Sequence, residues 1–136
     1  IMTLQVKVIA PDRVVWETTA DEIILPTNTG QMGVLTNHTS LLTALEIGVM
    51  QVRVNSQWIP LVVMAGFALI QNNILTIIIN EAEKADSINL NEAETQLKEA
   101  EDALTKAESR KQQVESTFLV KRARARFTAA QKILGS

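Results

Sequence analysis

The sequence predicts an all-β domain with an α-helical appendage: an N-terminal β-sandwich followed by a C-terminal antiparallel two-helix hairpin. Three observations predict it. As far as Glu81, the 136-residue chain is built of short β-branched and aliphatic runs broken by Gly, Pro and Asn. Beyond Glu81 it turns to Ala, Glu, Gln, Lys and Arg, with no Gly or Pro before Gly135, and this composition reads as helix throughout. The helical part is also polarised. Residues 81–108 carry nine acids and three bases, a net of −6, whereas residues 109–136 carry seven bases and one acid, a net of +6. Two such helices can fold against each other. They can also part, and each then offers a charged face to something else.

The strands follow in order. Leu4, Val6 and Val8 alternate with Gln5 and Lys7, the two-residue period of a half-buried strand. Pro11-Asp12-Arg13 is a turn, and Val14 to Thr19 is a second strand carrying Trp16. Asp21 to Leu25 is a third, ended by Pro26 and the Thr27-Asn28-Thr29-Gly30 loop. Gln31 to Leu35 reads as a short strand, and Leu41 to Leu45 as a short apolar piece. Val49 to Val54 alternates well, and Asn55-Ser56-Gln57 turns it into Trp58 to Met64. Ala65-Gly66 marks a bend or bulge. Phe67 to Ile70, the Asn72-Asn73 turn and Leu75 to Ile79 make a last hairpin. Many short strands with turn signals between them indicate a sandwich or barrel.

The first helix starts at Leu90-Asn91-Glu92-Ala93, capped by Asn89 or Asn91, with acids in its first turn that suit the helix dipole. Ala93, Leu97, Ala100, Leu104 and Ala107 recur at spacings of four and three, a narrow seam for one helical partner. The break falls near Glu108-Ser109-Arg110, without Gly or Pro. The second helix runs from about Lys111 to Leu134, and Gly135 suits its end. Val120, Ala123, Phe127, Ala130 and Leu134 line one of its faces, and Lys121, Arg122, Arg124 and Arg126 occupy most of the rest.

Composition excludes several classes. A net charge of −2 argues against nucleic acid as the main partner. With no cysteine there are no disulfides or thiolate metal sites. The apolar run from Ile59 to Leu69 contains Pro60 and Gly66 and is too short to span a membrane. Lys7 and Asp12 interrupt the early apolar residues, so no signal peptide is expected, and Ile1 before Met2 reads as a cloning remnant or a trimmed start. The chain is expected to be cytosolic or stromal. No phosphate loop or catalytic triad is visible, and a lone His38 cannot build a His-based metal site. Gly30-Gln31-Met32-Gly33 reads as a tight turn. His38 is either a loop histidine held by local hydrogen bonds or an interface contact. Trp16 and Trp58 are core or half-buried strand residues, with interface anchoring as the alternative. The Lys121–Arg126 cluster is either a solvated face paired loosely with the acids of the first helix, or a site for an acidic partner.

The string from Gly30 through Asn37-His38 to Leu45 resembles the signature loop of the epsilon subunit of F-type ATP synthases, close to G-x-[LMI]-G-[IV]-L-P-x-H-A-P-L-L-T-A-[LI]. Asp21-Glu22-Ile23-Ile24-Leu25-Pro26 resembles the strand before that loop, and Met64-Ala65-Gly66-Phe67-Ala68 the family's G-G-F segment. Val120 to Phe127, with its KRARAR run, resembles the arginine-bearing second helix. The resemblance spans nearly the whole chain and is nearest to the chloroplast and cyanobacterial branch. Thr36 stands where Pro is usual, Thr39-Ser40 replace Ala-Pro, and Ala65 replaces the first Gly of its pair. Some bacterial members help hold ATP with [IL]-D-x-x-R-A at the start of the first helix. Here Asn91 and Glu94 replace the Asp and the Arg, and a carboxylate is wrong where a phosphate should be received.

The resemblance implies a non-catalytic, regulatory and structural subunit of the rotor's central stalk, with no cofactor and no catalytic, metal or nucleotide-binding residues. It implies a stalk-coupling domain over residues 1–85 and a regulatory hairpin over 86–136. The partners it implies are the gamma subunit, the c-ring and the alpha/beta catalytic head, the last met through an acidic segment of beta. A c-ring contact loop would comprise Thr29, Gly30, Gln31, Met32, Asn37 and His38. An inhibitory basic helix would use Lys121, Arg122, Arg124 and Arg126 to block ATP hydrolysis. The place implied is the chloroplast or cyanobacterial thylakoid membrane, peripherally on the stromal or cytoplasmic side. A free-standing adaptor whose hairpin binds an acidic partner is the reading from another class.

Overall fold

A computed structural model describes residues 3–135, with side chains through Ile133. Eight strands precede the helices: β1 (Leu4–Ala10), β2 (Arg13–Ala20), β3 (Glu22–Thr27), β4 (Gly30–Val34), β5 (Leu41–Val54), β6 (Gln57–Gln71), β7 (Ile74–Ile79) and β8 (Ala82–Lys84). A 3₁₀ turn, Ala85–Ser87, leads to α1 (Leu90–Lys106) and α2 (Arg110–Gly135). The strands pair in the order β2-β1-β7-β6-β5-β3-β4, with β8 added to β6. All pairs are antiparallel except β1 with β7.

Two long strands turn this one path into a sandwich. The sequence divides β5 and β6 into two pieces each, but both run unbroken. Their pairing lapses only opposite Glu46, at Ala65, where Ala65 has φ 75° and Gly66 φ 152°. The core-facing positions change parity there. Leu61 and Val63 face the main core before the bend, and Ala68 and Ile70 after it. The first half of β5 and the second half of β6 therefore lie with β7, β1 and β2 in one sheet. The other halves lie with β3, β4 and β8 in the second, the manner in which bent strands make a corner between sheets. Only glycine fits at 66, because a Cβ would run into the Ile78 carbonyl oxygen. Gly48 does not break β5. Its missing Cβ admits the Pro26 ring, which would lie 2.9 Å from such an atom.

β8 is absent from the sequence reading, which ends its last strand at Ile79 and starts the first helix at Leu90. Residues 82–84 pair with Leu61, Val62 and Val63 on the open edge of β6. Three residues are too few to nucleate a helix, and an unpaired strand edge offers them backbone hydrogen bonds at once.

Asn89 is the cap of α1, its Oδ1 accepting from the Glu92 N–H at 3.0 Å. The turn between the helices needs no glycine because Ser109 and Gln112 form a capping box. Ser109 Oγ accepts from the Gln112 N–H at 3.1 Å, and Gln112 Oε1 accepts from the N–H groups of Glu108 and Ser109 at 3.0 and 3.2 Å. α2 lies on β5, β6 and the 3₁₀ turn, and α1 packs chiefly on α2. Ala93 of the α1 seam is buried, and Leu97, Ala100, Leu104 and Ala107 are half-buried. Val120, Ala123 and Ala130 of α2 are buried and Phe127 half-buried, while the Leu134 side chain lies outside the described residues. α2 also buries Ala125 and Ala129, a second apolar flank that the sequence reading missed. They join Val62, Ile47, Val49 and Met64 of the sheet in a cluster separate from the main core.

Candidate functional site

The basic cluster on α2 divides into two pairs with different surroundings. The Arg126 guanidinium is fully engaged. Its Nε and Nη2 donate to the two carboxylate oxygens of Glu83 at 2.8 and 3.1 Å, and its Nη1 donates to Gln96 of α1. The hydrogen bond to Glu83 raises the Arg126 pKa above its ordinary value, against the opposing effect of burial. Arg122 is held less well. Its Nη2 lies 3.5 Å from Glu81, and its buried Nε has no hydrogen-bond partner among the described residues. Arg122 and Arg126 line a cleft of about 450 Å³ between the helices and the β8 edge, together with Glu81, Glu83 and Glu99.

Lys121 and Arg124 are exposed and border another cleft of about 640 Å³, whose far wall includes Asn28 and Gln31. Lys132 joins them from the next turns of α2, and Glu46 is the acid that lines the same cleft. The sequence leaves this cluster as either a face paired loosely with acids of the first helix or a site for an acidic partner; in the structure Glu92 of α1 acts on Arg126 through its charge, without an ion pair. Among the described residues, the acids ion-paired to this helix are Glu81, just before β8, and Glu83, on it. An acid of α1 such as Glu94 pairs instead along its own helix, with Lys98 at 3.2 Å. Asn91 is exposed in the first turn of α1.

The loop residues singled out from the sequence do not gather at one place. Thr29 lies in the turn between β3 and β4 and Gly30 opens β4, its carbonyl accepting from the Thr27 hydroxyl at 2.6 Å. Gln31 faces the cleft beside Lys121 and Arg124, and Met32 packs half-buried on the core. Asn37 and His38 lie beyond the other end of β4, whose five residues span about 13 Å. There the Asn37 N–H donates to Asn73 Oδ1 at 2.6 Å, and His38 Nδ1 lies 2.8 Å from the Thr39 carbonyl oxygen. Both tryptophans carry a cation: Arg53 lies 5.7 Å from the exposed Trp58 ring, and Lys84 lies 5.3 Å from half-buried Trp16.

One surface was missed from the sequence. On the outer face of the sheet holding β7, Leu42 pairs with Leu69 and Phe67 with Ile78, and all four are exposed, Leu42 at 64 %. Ile74 extends the patch. Its signal was the continuous run from Phe67 to Ile70 and the triplet Ile77-Ile78-Ile79. A strand apolar at every position is apolar on both faces, and only one face can meet the core. Contiguous exposed apolar side chains of this kind mark contact surfaces.

The chain as a whole is similar to known proteins. Residues 3–85 match the family model described as ATP synthase, Delta/Epsilon chain, beta-sandwich domain. The chloroplastic ATP synthase epsilon chain of Chlorella vulgaris is 54% identical over 132 residues, covering 97% of this chain and 98% of its own. That of Pyropia yezoensis is 54% identical over 129 residues, covering 95% and 96%. Among solved structures, a chain of the Euglena gracilis mitochondrial ATP synthase assembly of OSCP, F1 and c-ring shares the fold at a TM-score of 0.82 and 19% identity, over 97% of this chain and 81% of that one.

Proposed function

The chain belongs to the epsilon chains of ATP synthase, and from that premise we propose that it serves in the central stalk of an F-type enzyme, coupling the gamma subunit to the c-ring. It is a subunit of the enzyme and not itself catalytic. Residues 1–85 form the coupling module. The apolar face of Leu42, Phe67, Leu69, Ile74 and Ile78 is the surface we assign to gamma. The end of the β3–β4 turn and the start of β4, Thr29 through Met32, are the c-ring side, and Asn37 and His38, beyond the far end of β4, reach a different surface of the stalk. Chloroplastic relatives favour a photosynthetic setting, in a chloroplast or a cyanobacterium, peripheral to the thylakoid membrane on its stromal or cytoplasmic side.

Residues 86–136 form the regulatory hairpin. The observation that carries this reading is the occupancy of the basic cluster. In the docked hairpin Arg122 and Arg126 face Glu81 and Glu83, while Lys121 and Arg124 stay open. A docked helix therefore has only part of its charge to give. Once extended, it presents all four bases to an acidic segment of beta in the catalytic head and blocks hydrolysis. Charge pairs across such an interface couple by about 1.5–7 kcal/mol in well-studied cases. The test is ATPase activity of a gamma-containing head complex with and without this chain. The chain should inhibit, and the triple variant Arg122→Ala, Arg124→Ala, Arg126→Ala should bind gamma as before yet inhibit at least about tenfold less. Full inhibition by the triple variant at low salt would assign the cluster to a solvated face.

A further inference from the structure

We propose that Arg126 is the latch of the docked hairpin and that Glu83, anchored in the sandwich, is its keeper. The proposal deepens the reading that the hairpin leaves the sandwich, and rests on it. Glu83 is fixed by the pairing of β8 with β6, where it stands opposite Val62. It lies just before the 3₁₀ turn through which the chain leaves for α1. One guanidinium thus ties three elements: α2, which carries it; β8, whose carboxylate it grips with two nitrogens; and α1, reached through Gln96. Opening the bond at 126 releases both helices together, beside the point where they must pivot.

Three comparisons single out this pair. Arg122 and Glu81 are the weaker neighbours, with one contact at 3.5 Å and side chains 42% and 59% exposed. The Arg126 and Glu83 side chains are 21% and 27% exposed, so solvent and salt screen them less. A bidentate guanidinium–carboxylate pair also fixes direction, which a lone lysine contact does not. Finally, the fully buried side chains that the two helices bring to the apolar contact beneath are Ala93, Ala125, Ala129 and Ala130, of one methyl each, set against Val62, Ile47, Val49 and Met64 of the sheet. With small side chains on the helix side, a bidentate ion pair carries a larger share of what holds the hairpin down.

The test is amide hydrogen exchange of the full-length chain alone, read separately over α2 and over the sandwich strands. Glu83→Gln should speed exchange along α2 on the order of tenfold while leaving β1, β6 and β7 unchanged. Glu81→Gln should have a smaller effect. The exchanged pair, Glu83→Arg with Arg126→Glu, should recover most of the protection that Glu83→Gln loses. The latch is overturned if Glu83→Gln leaves α2 unchanged, if it speeds the sandwich strands equally, or if the exchanged pair protects no better than the single variant. No catalytic head enters this measurement. Failure of the inhibitory reading would appear in the ATPase assay and leave the exchange result standing.

Discussion

The sandwich core and the cluster beneath the hairpin are both apolar, yet they are made of different side chains. The core buries Leu4, Ile23, Leu25, Met50, Leu61, Ile70, Leu75 and Ile77 completely. In the second cluster the helices contribute chiefly Ala93, Ala125, Ala129 and Ala130, with half-buried Leu90 and Phe127 beside them. Burying a leucine or isoleucine side chain contributes about 1.5–3 kcal/mol, and a single methyl nearer 0.8. Two interfaces of similar tightness can therefore differ several-fold in adhesion. Alanine also lets a helix lie close to a sheet without interlocking with it. A surface held this way can separate without tearing out large side chains, and charge pairs such as Arg126 with Glu83 are left to set the balance.

The largest expected effect lies on the core side of this comparison. Leu61→Ala should cost about 2–5 kcal/mol of unfolding free energy, read from urea denaturation, because it removes a fully buried side chain and leaves a cavity. A smaller loss is expected from cutting the hairpin away. A chain ending at Ala85 should still fold cooperatively, losing about 1–3 kcal/mol as Val62, now completely buried, comes into water. It should also still bind gamma. A truncated chain without β structure by circular dichroism would mean that the helices complete the core, and the contrast between the two interfaces would fail.

The same contrast explains what was legible in the sequence. Large side chains at a two-residue period declare their partners, and the alternation of Leu4, Val6 and Val8 reads directly as β1. Alanine does not, because it is both the best helix former and a core filler, so the flank of Ala125 and Ala129 looked like propensity alone. The sequence divides β6 because the bend at Ala65-Gly66 resembles a strand end, and β5 because Glu46 and Gly48 interrupt its apolar run, while pairing resumes on both sides. The Ser109-x-x-Gln112 capping box was present in the sequence and would have supported the tight turn between the helices. At the candidate site the bases were legible as a run. Their partners were not, since Glu83 is 43 residues from Arg126 and stands on a short strand that the sequence does not declare. The loop from Thr29 to His38 is continuous in sequence, and only the extended β4 separates its ends.

The smallest expected effect concerns the cleft between the helices. At about 450 Å³, with Arg122 and Arg126 on its wall, it has room and cations for a nucleotide phosphate. Both guanidiniums already face carboxylates, however, and Glu99 adds a third acid to the lining. A phosphate entering there would have to displace Glu83 from a bidentate, partly buried pair and then sit beside its negative charge. The start of α1 gives no help, because Asn91 is neutral and Glu94 is spoken for by Lys98. Isothermal titration of the full-length chain with millimolar MgATP should therefore give no saturable heat. Micromolar binding would mean that the cleft opens readily enough to give up its internal pairs. Glu83→Gln would then strengthen that binding by removing the competing carboxylate. The sandwich would be unaffected in either case, since none of its core side chains reaches the cleft.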